Sequence, residues 1–467
     1  MAFAAALISG CGGAVSSGTL PVQSGSTSVT IFATSTANDQ LSEFNISVDS
    51  LTLTTSSGKA VTVLATPQNA EYIHLNGHPE PLTTVSIPQG VYTSAAASVE
   101  NAGFECITLD SSGALVTHGF NYANTSASVT VNLPSPISIS GAAMGLSLDL
   151  LVSQSASWTT CDSTGDPYSI TPTFDLRPVT LSSTPADNQD GTATGLRGLI
   201  ASVDPVAGRL TVTAADDGPS WTVVSDDGTE YQGVTGLSAL EAGMPVDMDV
   251  ALQANGSLLA TRVAVPDTNT ANLSVSSGPV QFVSIAWPAL FADEVEEQGY
   301  LPGVFGSAPF SFGGAVFQTS GQFTNLQNLP FAASFNATNI VAGQSVSITT
   351  HATSLSPAPT YVPAATMTLL PQTINGTVSA IGGEASFTTY TIQLASYDLF
   401  PELAVQGGQT TLLTTPNTVV VYADDNTQML NTNSISVGSV MRFYGLVFND
   451  NGTLRMDCAQ INDGVPG

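Results

Sequence analysis

Apolar and polar residues alternate along almost the whole chain. Phe44, Ile46 and Val48 are separated by polar residues, and the same alternation recurs at 129–133 and 146–152. Segments of this kind end at Gly, Pro, Asn or Asp, which favour turns. Because successive side chains of a strand point to opposite faces of a sheet, the pattern predicts an all-β protein.

The alternating segments fall into two groups. Between residues 28 and 185 the short strands are numerous enough for two packed sheets, which predicts an N-terminal β-sandwich. From residue 187 onward, a unit with a glycine ahead of a strand and an Asn-Gly turn after it is repeated. The positions of this unit are Gly243, Asn255 and Gly256 in the first copy, Gly438, Asn451 and Gly452 in the last copy, and Gly343 in a degenerate middle copy.

These glycine and Asn-Gly positions have a physical role. A glycine just before a β-branched strand lets the chain bend sharply into that strand, and Asn-Gly supplies the positive φ angles of a two-residue hairpin turn. About five or six such strands would close a small barrel with few open edges. The sequence therefore predicts three tandem small β-barrels after the sandwich.

The repeated pattern resembles that of small β-barrel domains of unknown function, loosely OB-like, which recur in bacterial envelope proteins with the pattern G-x-V…V-G-x-x-V-x-V…N-G-T-L. The resemblance covers 195–267 and 371–464 and is weak at 268–370. The segment Pro88–Tyr92 resembles the P-x-G-x-Y strand entry of β-sandwich lipoprotein domains of unknown function. These resemblances imply a fold and no particular activity.

The first residues indicate a membrane anchor. The sequence Leu-Ile-Ser-Gly-Cys at 7–11 resembles the lipobox of bacterial lipoproteins, which implies cleavage before Cys11 and attachment of lipid to that cysteine. The Gly- and Ser-rich stretch that follows would form a flexible tether. Signal peptides open with a basic segment, and none precedes Ala2, which we interpret as an N-terminus shortened by a late choice of start codon. The alternative is a chance cysteine after small residues.

Together these patterns divide the chain and place it in the cell. The expected segments are a signal peptide at 1–10, a tether at 11–27, a sandwich at 28–185, and barrels at 186–267, 268–370 and 371–467. We expect an exported lipoprotein, anchored at the outer membrane or cell surface through its acyl chains. Its expected partners are that membrane and a polysaccharide or protein ligand at the surface.

Charge excludes one class of partner. The 467 residues include 36 Asp and Glu but 7 Lys and Arg, which gives a formal net charge of −29. Binding to nucleic acid needs clustered Lys and Arg facing the phosphates, and the single lysine, Lys59, and six scattered arginines cannot form such a surface. We therefore expect no nucleic-acid partner.

Export also determines the expected bonding state of the remaining cysteines. Once Cys11 is assigned to lipid, Cys106, Cys161 and Cys458 remain. Exported proteins favour disulfides, so we predict a bridge between Cys106 and Cys161. Cys458 lies in a strand-like segment, where a buried and unreactive thiol is expected.

Few residues form a pattern that could carry chemistry. His74 and His78 have the spacing of a metal pair on a helix, and Glu80 follows, but Asn-Gly and Pro79 indicate a loop, so no metal site is predicted. The Asp clusters at 187–190, 216–217, 226–227 and 424–425 are typical of turns. Calcium held by such side chains is the alternative.

No catalytic constellation can be identified, so we expect a protein that is not an enzyme and that needs no cofactor. The function that the sequence favours is a surface binding or structural module. One alternative is an adhesin-like or polymer-forming subunit whose sheet edges pair with neighbours. A second is a carbohydrate-active enzyme, which would need two carboxylates facing one cleft.

Overall fold

A computed structural model gives the fold of the chain, and the description covers most of its length. The described residues are 25–35, 41–73, 75, 79–109, 115–121, 127–159, 168–179, 192–214, 218–265, 274–284, 289–293, 296–299, 307–319, 326–350, 362–395, 400–401, 413–429 and 434–463. They form four large β-sheets and one two-stranded ribbon. Among them, no helix is long and apolar enough to cross a membrane. The all-β prediction is confirmed.

The N-terminal unit contains thirteen strands and a four-residue helix. They are β1 Ser26–Ser35, β2 Leu41–Thr55, β3 Ala60–Leu64, β4 Gln68–Glu71, β5 Glu80–Pro88, β6 Gly90–Leu109, β7 Leu115–Asn121, β8 Ala127–Asn132, β9 Ile137–Ile139, β10 Ala143–Leu150, α1 Val152–Ser155, β11 Ala156–Trp158, β12 Tyr168–Ile170 and β13 Phe174–Val179.

Eleven of these strands belong to one sheet, in the order β3-β2-β6-β8-β13-β10-β1-β5, with β4, β7 and β9 paired at its sides. Strands β2 and β6 are 15 and 20 residues long, and the ladder between them shifts register at four places. Because bulges bend and twist a strand, one sheet can wrap around its own core. That core includes Phe44, Tyr72, Leu148 and Phe174.

The first and third barrels follow, each built from six strands. The first has β14 Thr192–Asp204, β15 Arg209–Ala214, β16 Ser220–Val224, β17 Glu230–Gln232, a 3-10 turn Leu237–Ala239, β18 Pro245–Leu252 and β19 Leu258–Ala264. The third has β28 Gln372–Glu384, β29 Phe387–Leu394, β30 Thr418–Ala423, β31 Gln428–Met429, β32 Val440–Asp450 and β33 Thr453–Asp463.

These two barrels have the same strand order and the same closure. The orders are β16-β15-β14-β18-β19-β17 and β30-β29-β28-β32-β33-β31. In each barrel a parallel pairing, β16 with β19 or β30 with β33, joins the ends of the sheet. Five antiparallel or parallel pairings thus form a closed circuit, as in an OB-like barrel.

The middle barrel has the same circuit with one strand split in two. Its elements are β20 Ser274–Ser284, β21 Ala289–Asp293, β22 Glu296–Gly299, β23 Ser307–Ser311, β24 Val316–Thr319, a 3-10 turn Leu326–Asn328, β25 Ser345–Thr350, β26 Val362–Pro363 and β27 Thr366–Leu369. Only Ala364 and Ala365 separate β26 from β27. Strand β26 pairs with β23 and β27 with β24, both in parallel, so the two short strands together close the ring. The predicted all-β architecture with barrel-like sheets is confirmed. The N-terminal sandwich was expected to have two packed sheets, whereas eleven of its strands belong to one sheet.

One strand of the third barrel contributes to two cores. On β32, Phe443 points into the core of its own barrel. Leu446 and Phe448, further along the same strand, lie in the core of the middle barrel. Because strand β32 is buried on both faces, it is a shared wall between the two barrels.

The opposite end of β32 reaches the other two units through polar groups. The Arg442 guanidinium donates a hydrogen bond of 3.0 Å to the carbonyl of Ser35 at the end of β1. The Tyr444 hydroxyl makes a hydrogen bond with Thr194 of the first barrel. A single strand near the C-terminus therefore contacts all three preceding units.

The N-terminal unit and the first barrel are also joined directly. Phe32 of β1 is buried in the core of the first barrel, and the indole N–H of Trp221 donates to the carbonyl of Pro81 at 2.7 Å. In the same way, Val341 of the middle barrel lies in the core of the third. The four units pack as one body.

We predict that Gly376→Ala destabilises the third barrel, because a Cβ at this position would overlap the carbonyl of Gln393 on the neighbouring strand. Overpacking of this kind costs about 2 kcal/mol. Gly383→Ala, in the same strand, is the control, since its Cβ would meet its nearest atom at an ordinary 3.7 Å. Urea unfolding followed by circular dichroism measures both variants. Equal stability of the two variants would contradict the close approach at Gly376.

Candidate functional site

The three repeated glycines occupy equivalent turns. Gly243, Gly343 and Gly438 have φ angles of 88°, 91° and 94°, which a side chain would disfavour. Each donates its N–H to a carbonyl of the first strand of its own barrel. The acceptors are Ile200 at 2.8 Å, Val280 at 2.7 Å and Val378 at 2.8 Å. In each barrel the strand shifts register directly after the acceptor, so the glycine turn is matched to a bulge.

The two Asn-Gly turns differ from each other. Asn451 and Gly452 both have positive φ, 52° and 93°, and form the two-residue turn between β32 and β33. In the first barrel the loop spans 253–257, and there only Gly256 has positive φ. The longer loop places Gly256 against Ser28 of the N-terminal unit, where a Cβ would come within 2.8 Å of the Ser28 hydroxyl.

The cysteines are accounted for in part. Cys106 on β6 is fully buried and is disulfide-bonded. Cys458 on β33 is a free thiol, buried at 1 % exposure, and burial, followed by the charge of Asp457, raises its pKa. Cys11 and Cys161 lie outside the described residues, so lipidation at Cys11 and the bridge to Cys161 stay predictions.

The histidine loop cannot be placed. His74 and His78 lie outside the described residues, whereas Glu80 begins β5 and is buried. Burial, and then the nearby charges of Glu80 and Asp149, raise the pKa of the Tyr72 hydroxyl. Within the described part of the chain, no group of three His, Cys, Asp or Glu side chains is arranged to hold a metal ion.

Two of the acidic clusters are hydrogen-bonded turns of the same design, at 226–229 and 424–427. In each, the carboxylate of the first Asp accepts the N–H two residues on, and the N–H of that Asp donates to the Thr hydroxyl. The Thr hydroxyl donates onward to a strand carbonyl, that of Ala260 or Cys458. In both turns the carboxylate of the first Asp therefore accepts a hydrogen bond that stabilises the turn. The clusters at 187–190 and 216–217 lie outside the described residues.

Three charged side chains form a compact group in the first barrel. The guanidinium of Arg262 on β19 is bound by two carboxylates of β18, Asp247 and Asp249, with 2.7 Å between its Nε and Asp249 Oδ2. Asp249 also accepts the N–H of Gly195 at 2.8 Å. Burial disfavours the charge of Arg262, but the two carboxylates outweigh this effect and raise its pKa.

This ion group lies where the first and third barrels meet. Gly195 has a φ of 68° in a bulge of β14, and a Cβ there would lie 3.7 Å from the Tyr444 hydroxyl. Burial raises the pKa of Tyr444, whose hydroxyl also feels the charges of Asp249 and Arg197. We call Gly195, Asp247, Asp249, Arg262 and Tyr444 the junction cluster.

A second cation joins the middle and third barrels. Arg455 on β33 binds Asp450, with 2.9 Å between Nε and Oδ2, and lies 5.6 Å from the ring centre of Phe331 and 5.7 Å from that of Tyr422. It also donates to the Tyr422 hydroxyl, which donates to Glu384 at 3.1 Å. Cation–π contacts of this kind stabilise a protein by about 1 kcal/mol when partly buried.

Sequence reasoning missed these two arginines. The signal was present, because Arg262 and Arg455 alternate with apolar residues in strands of a chain that has six arginines in all. A charge in a strand with buried neighbours needs a partner of opposite sign. Each arginine binds carboxylates of its own barrel, close to the boundary with a neighbouring unit. Their role is therefore structural.

Comparison with known families adds one result. The model of a family described as a domain of unknown function (DUF5666) matches residues 197–264. That match runs from β14 to the end of β19 and therefore covers the first barrel, including its glycine turn at Gly243. The first barrel is thus similar to this family. No curated protein matches the chain.

We predict that Arg262→Met destabilises the protein by about 3 to 5 kcal/mol at pH 7. The substitution leaves the buried carboxylate of Asp247 and the partly buried carboxylate of Asp249 without their cation. Uncharged carboxyls would be favoured at this site, so the folded variant binds protons more readily than the unfolded chain. Its stability deficit relative to the wild type therefore shrinks as the pH falls from 7 to 5. Urea unfolding at several pH values measures this deficit.

The matched control for this substitution is Arg209→Met, at an exposed position of β15 in the same barrel. Exposed charges contribute little to stability, so we expect less than about 0.5 kcal/mol and no change with pH. Equal effects of the two substitutions would show that the junction cluster does not stabilise the fold.

We predict that the Cys458 thiol is protected in the native protein. Its burial and its raised pKa disfavour the reactive thiolate. Iodoacetamide at pH 8 should leave it unmodified in the folded chain and should alkylate it fully in denaturant, as followed by mass mapping of the peptide that contains Cys458. Alkylation at equal rates in both states would contradict the prediction.

Proposed function

We propose that the protein is a lipid-anchored, exported cell-envelope protein that acts as a surface binding or structural module. The observation that carries the proposal is the sequence at 7–11, in which Cys11 follows small and apolar residues. The Gly- and Ser-rich segment that begins at Gly12 would link this anchor to the folded body. The predicted tether of 11–27 is too long at its end, because Thr27 is buried in β1, which begins at Ser26. The site of action is then a membrane surface, at the outer membrane or on the cell exterior.

The packing of the four units supports a compact body on a tether. Contacts between β1 and β32 join the first and last units directly, so the barrels are not spaced out as an extended stalk. A body of this kind presents a fixed outer surface. We propose that this surface, rather than a catalytic cleft, meets a polysaccharide or a protein of the envelope.

The buried carboxylates support a binding role over hydrolysis. A carbohydrate-active enzyme uses two carboxylates that face one substrate. Asp247 and Asp249 are both occupied by Arg262. Because the two carboxylates lie near the boundary between the first and third barrels, we interpret their role as structural.

Mass spectrometry of the protein from its native membrane fraction tests the anchor. We expect a mature chain that starts at Cys11 and carries the mass of diacylglyceryl and acyl groups on that residue. Detergent phase separation should place this chain in the detergent phase, because two or three acyl chains hold a protein stably on a membrane.

Cys11→Ser is the control, because it removes the sulfur that would carry the lipid and leaves the folded body unchanged. This variant should keep its signal segment or appear in the soluble fraction. A wild-type chain that retains the residues before Cys11 and carries no lipid would refute the proposal.

A further inference from the structure

We propose that the outer edge of strand β28, from Ser379 to Glu384, pairs with the same edge of a second copy of the chain. The two edges would run antiparallel around a two-fold axis near Gly382. This inference concerns a self-association surface of the third barrel and does not depend on the lipid anchor.

The edge extends beyond the barrel wall. Strand β32 pairs with β28 only from Gln372 to Thr377, whereas β29 pairs with β28 up to Glu384. Past the bulge at Val378, no strand among the described residues lies on the outer side of β28. All residues from 379 to 386 are exposed. The result is an open sheet edge about 20 Å long.

The hairpin that carries this edge is held firmly from its other side. Phe387, directly after the turn, is buried at 4 % exposure and lies 6.1 Å from Tyr422, measured between ring centres. Tyr422 donates to the Glu384 carboxylate and contacts Phe331 of the middle barrel. Because the hairpin is already ordered, pairing along its edge loses little conformational entropy.

The tight turn determines which backbone groups face outward. A two-residue turn makes Glu384 and Phe387 a hydrogen-bonded pair, and such pairs alternate along an antiparallel ladder. Gly382 therefore bonds to β29, while the N–H and C=O groups of Ile381 and Gly383 point to the open side. Groups of this kind form a ready template for another strand.

A second copy is the occupant that the charge pattern favours. The segment 379–383 is uncharged, in a chain whose net charge of −29 keeps copies apart elsewhere. Strand addition of a foreign peptide gains its specificity from side-chain pockets, whereas both faces of this segment are exposed. When the edge pairs antiparallel with the same edge of a second copy, the two-fold symmetry makes the two strands complementary, so no such pocket is needed.

The corresponding hairpin of the first barrel shows what a protected edge looks like. Its first strand ends at Asp204, followed by Pro205, and the Asp204 carboxylate binds the N–H groups of the turn. Charge and proline at an edge discourage strand pairing. The third barrel has two glycines, Gly382 and Gly383, and no proline in the equivalent place.

Sedimentation of the full chain carrying Cys11→Ser, which keeps lipid out of the measurement, tests the proposal. We expect a weak dimer whose population rises with salt, because salt screens the repulsion between copies. Ile381→Pro removes an outward N–H and spares the bonds to β29. It should weaken dimerisation about tenfold or more, since each dimer loses two hydrogen bonds.

Ile381→Ala is the matched control, because it shortens the side chain and keeps the N–H, so its dimer should persist. Hydrogen exchange of the wild type gives a second measurement that needs no variant. The amides of Ile381 and Gly383 should become protected as the protein concentration rises. A chain that stays monomeric at high salt, a dimer that survives Ile381→Pro, or equal loss in both variants would overturn the proposal.

Discussion

The packing of strand β32 is the constraint on which the rest of the structure depends. Near one end of the strand, Arg442 donates a hydrogen bond to the backbone of β1, and Tyr444 is part of the junction cluster. The other end places Leu446 and Phe448 in the core of the middle barrel. Since all four units meet on this strand, the relative positions of the barrels follow from the alternation of its side chains.

Arg262 and Arg455 show how a chain with so little positive charge uses it. Arg262 and Arg455 each lie between carboxylates and aromatic or backbone groups at a boundary between units. Arg262 is buried, and the Arg455 side chain is 26 % exposed. A charge paired in this way favours one geometry, because a small shift would separate it from its partners. The arginines therefore favour one arrangement of the barrels over others of similar apolar burial.

Local features were predictable from the sequence, and contacts between units were not. Gly243, Gly343 and Gly438 could be identified because a position with positive φ favours glycine, and that preference is visible at a single residue. The split of the last middle-barrel strand into β26 and β27 could not be identified, since it has no periodicity of its own. The junction cluster was missed because Tyr444 belongs to another barrel and meets Gly195 and Asp249 only through folding. The loop of His74 and His78 and the Cys161 position remain sequence predictions.

The bond between Arg442 and Ser35 has a consequence for how the chain is made. Ser35 is synthesised 407 residues before Arg442. The N-terminal unit can form its own core early, but its contact with β32 must wait until the third barrel has been synthesised. The end of β1 therefore lacks one of its partners until β32 is made, and a chain interrupted before β32 would expose that part of β1 to cellular proteases.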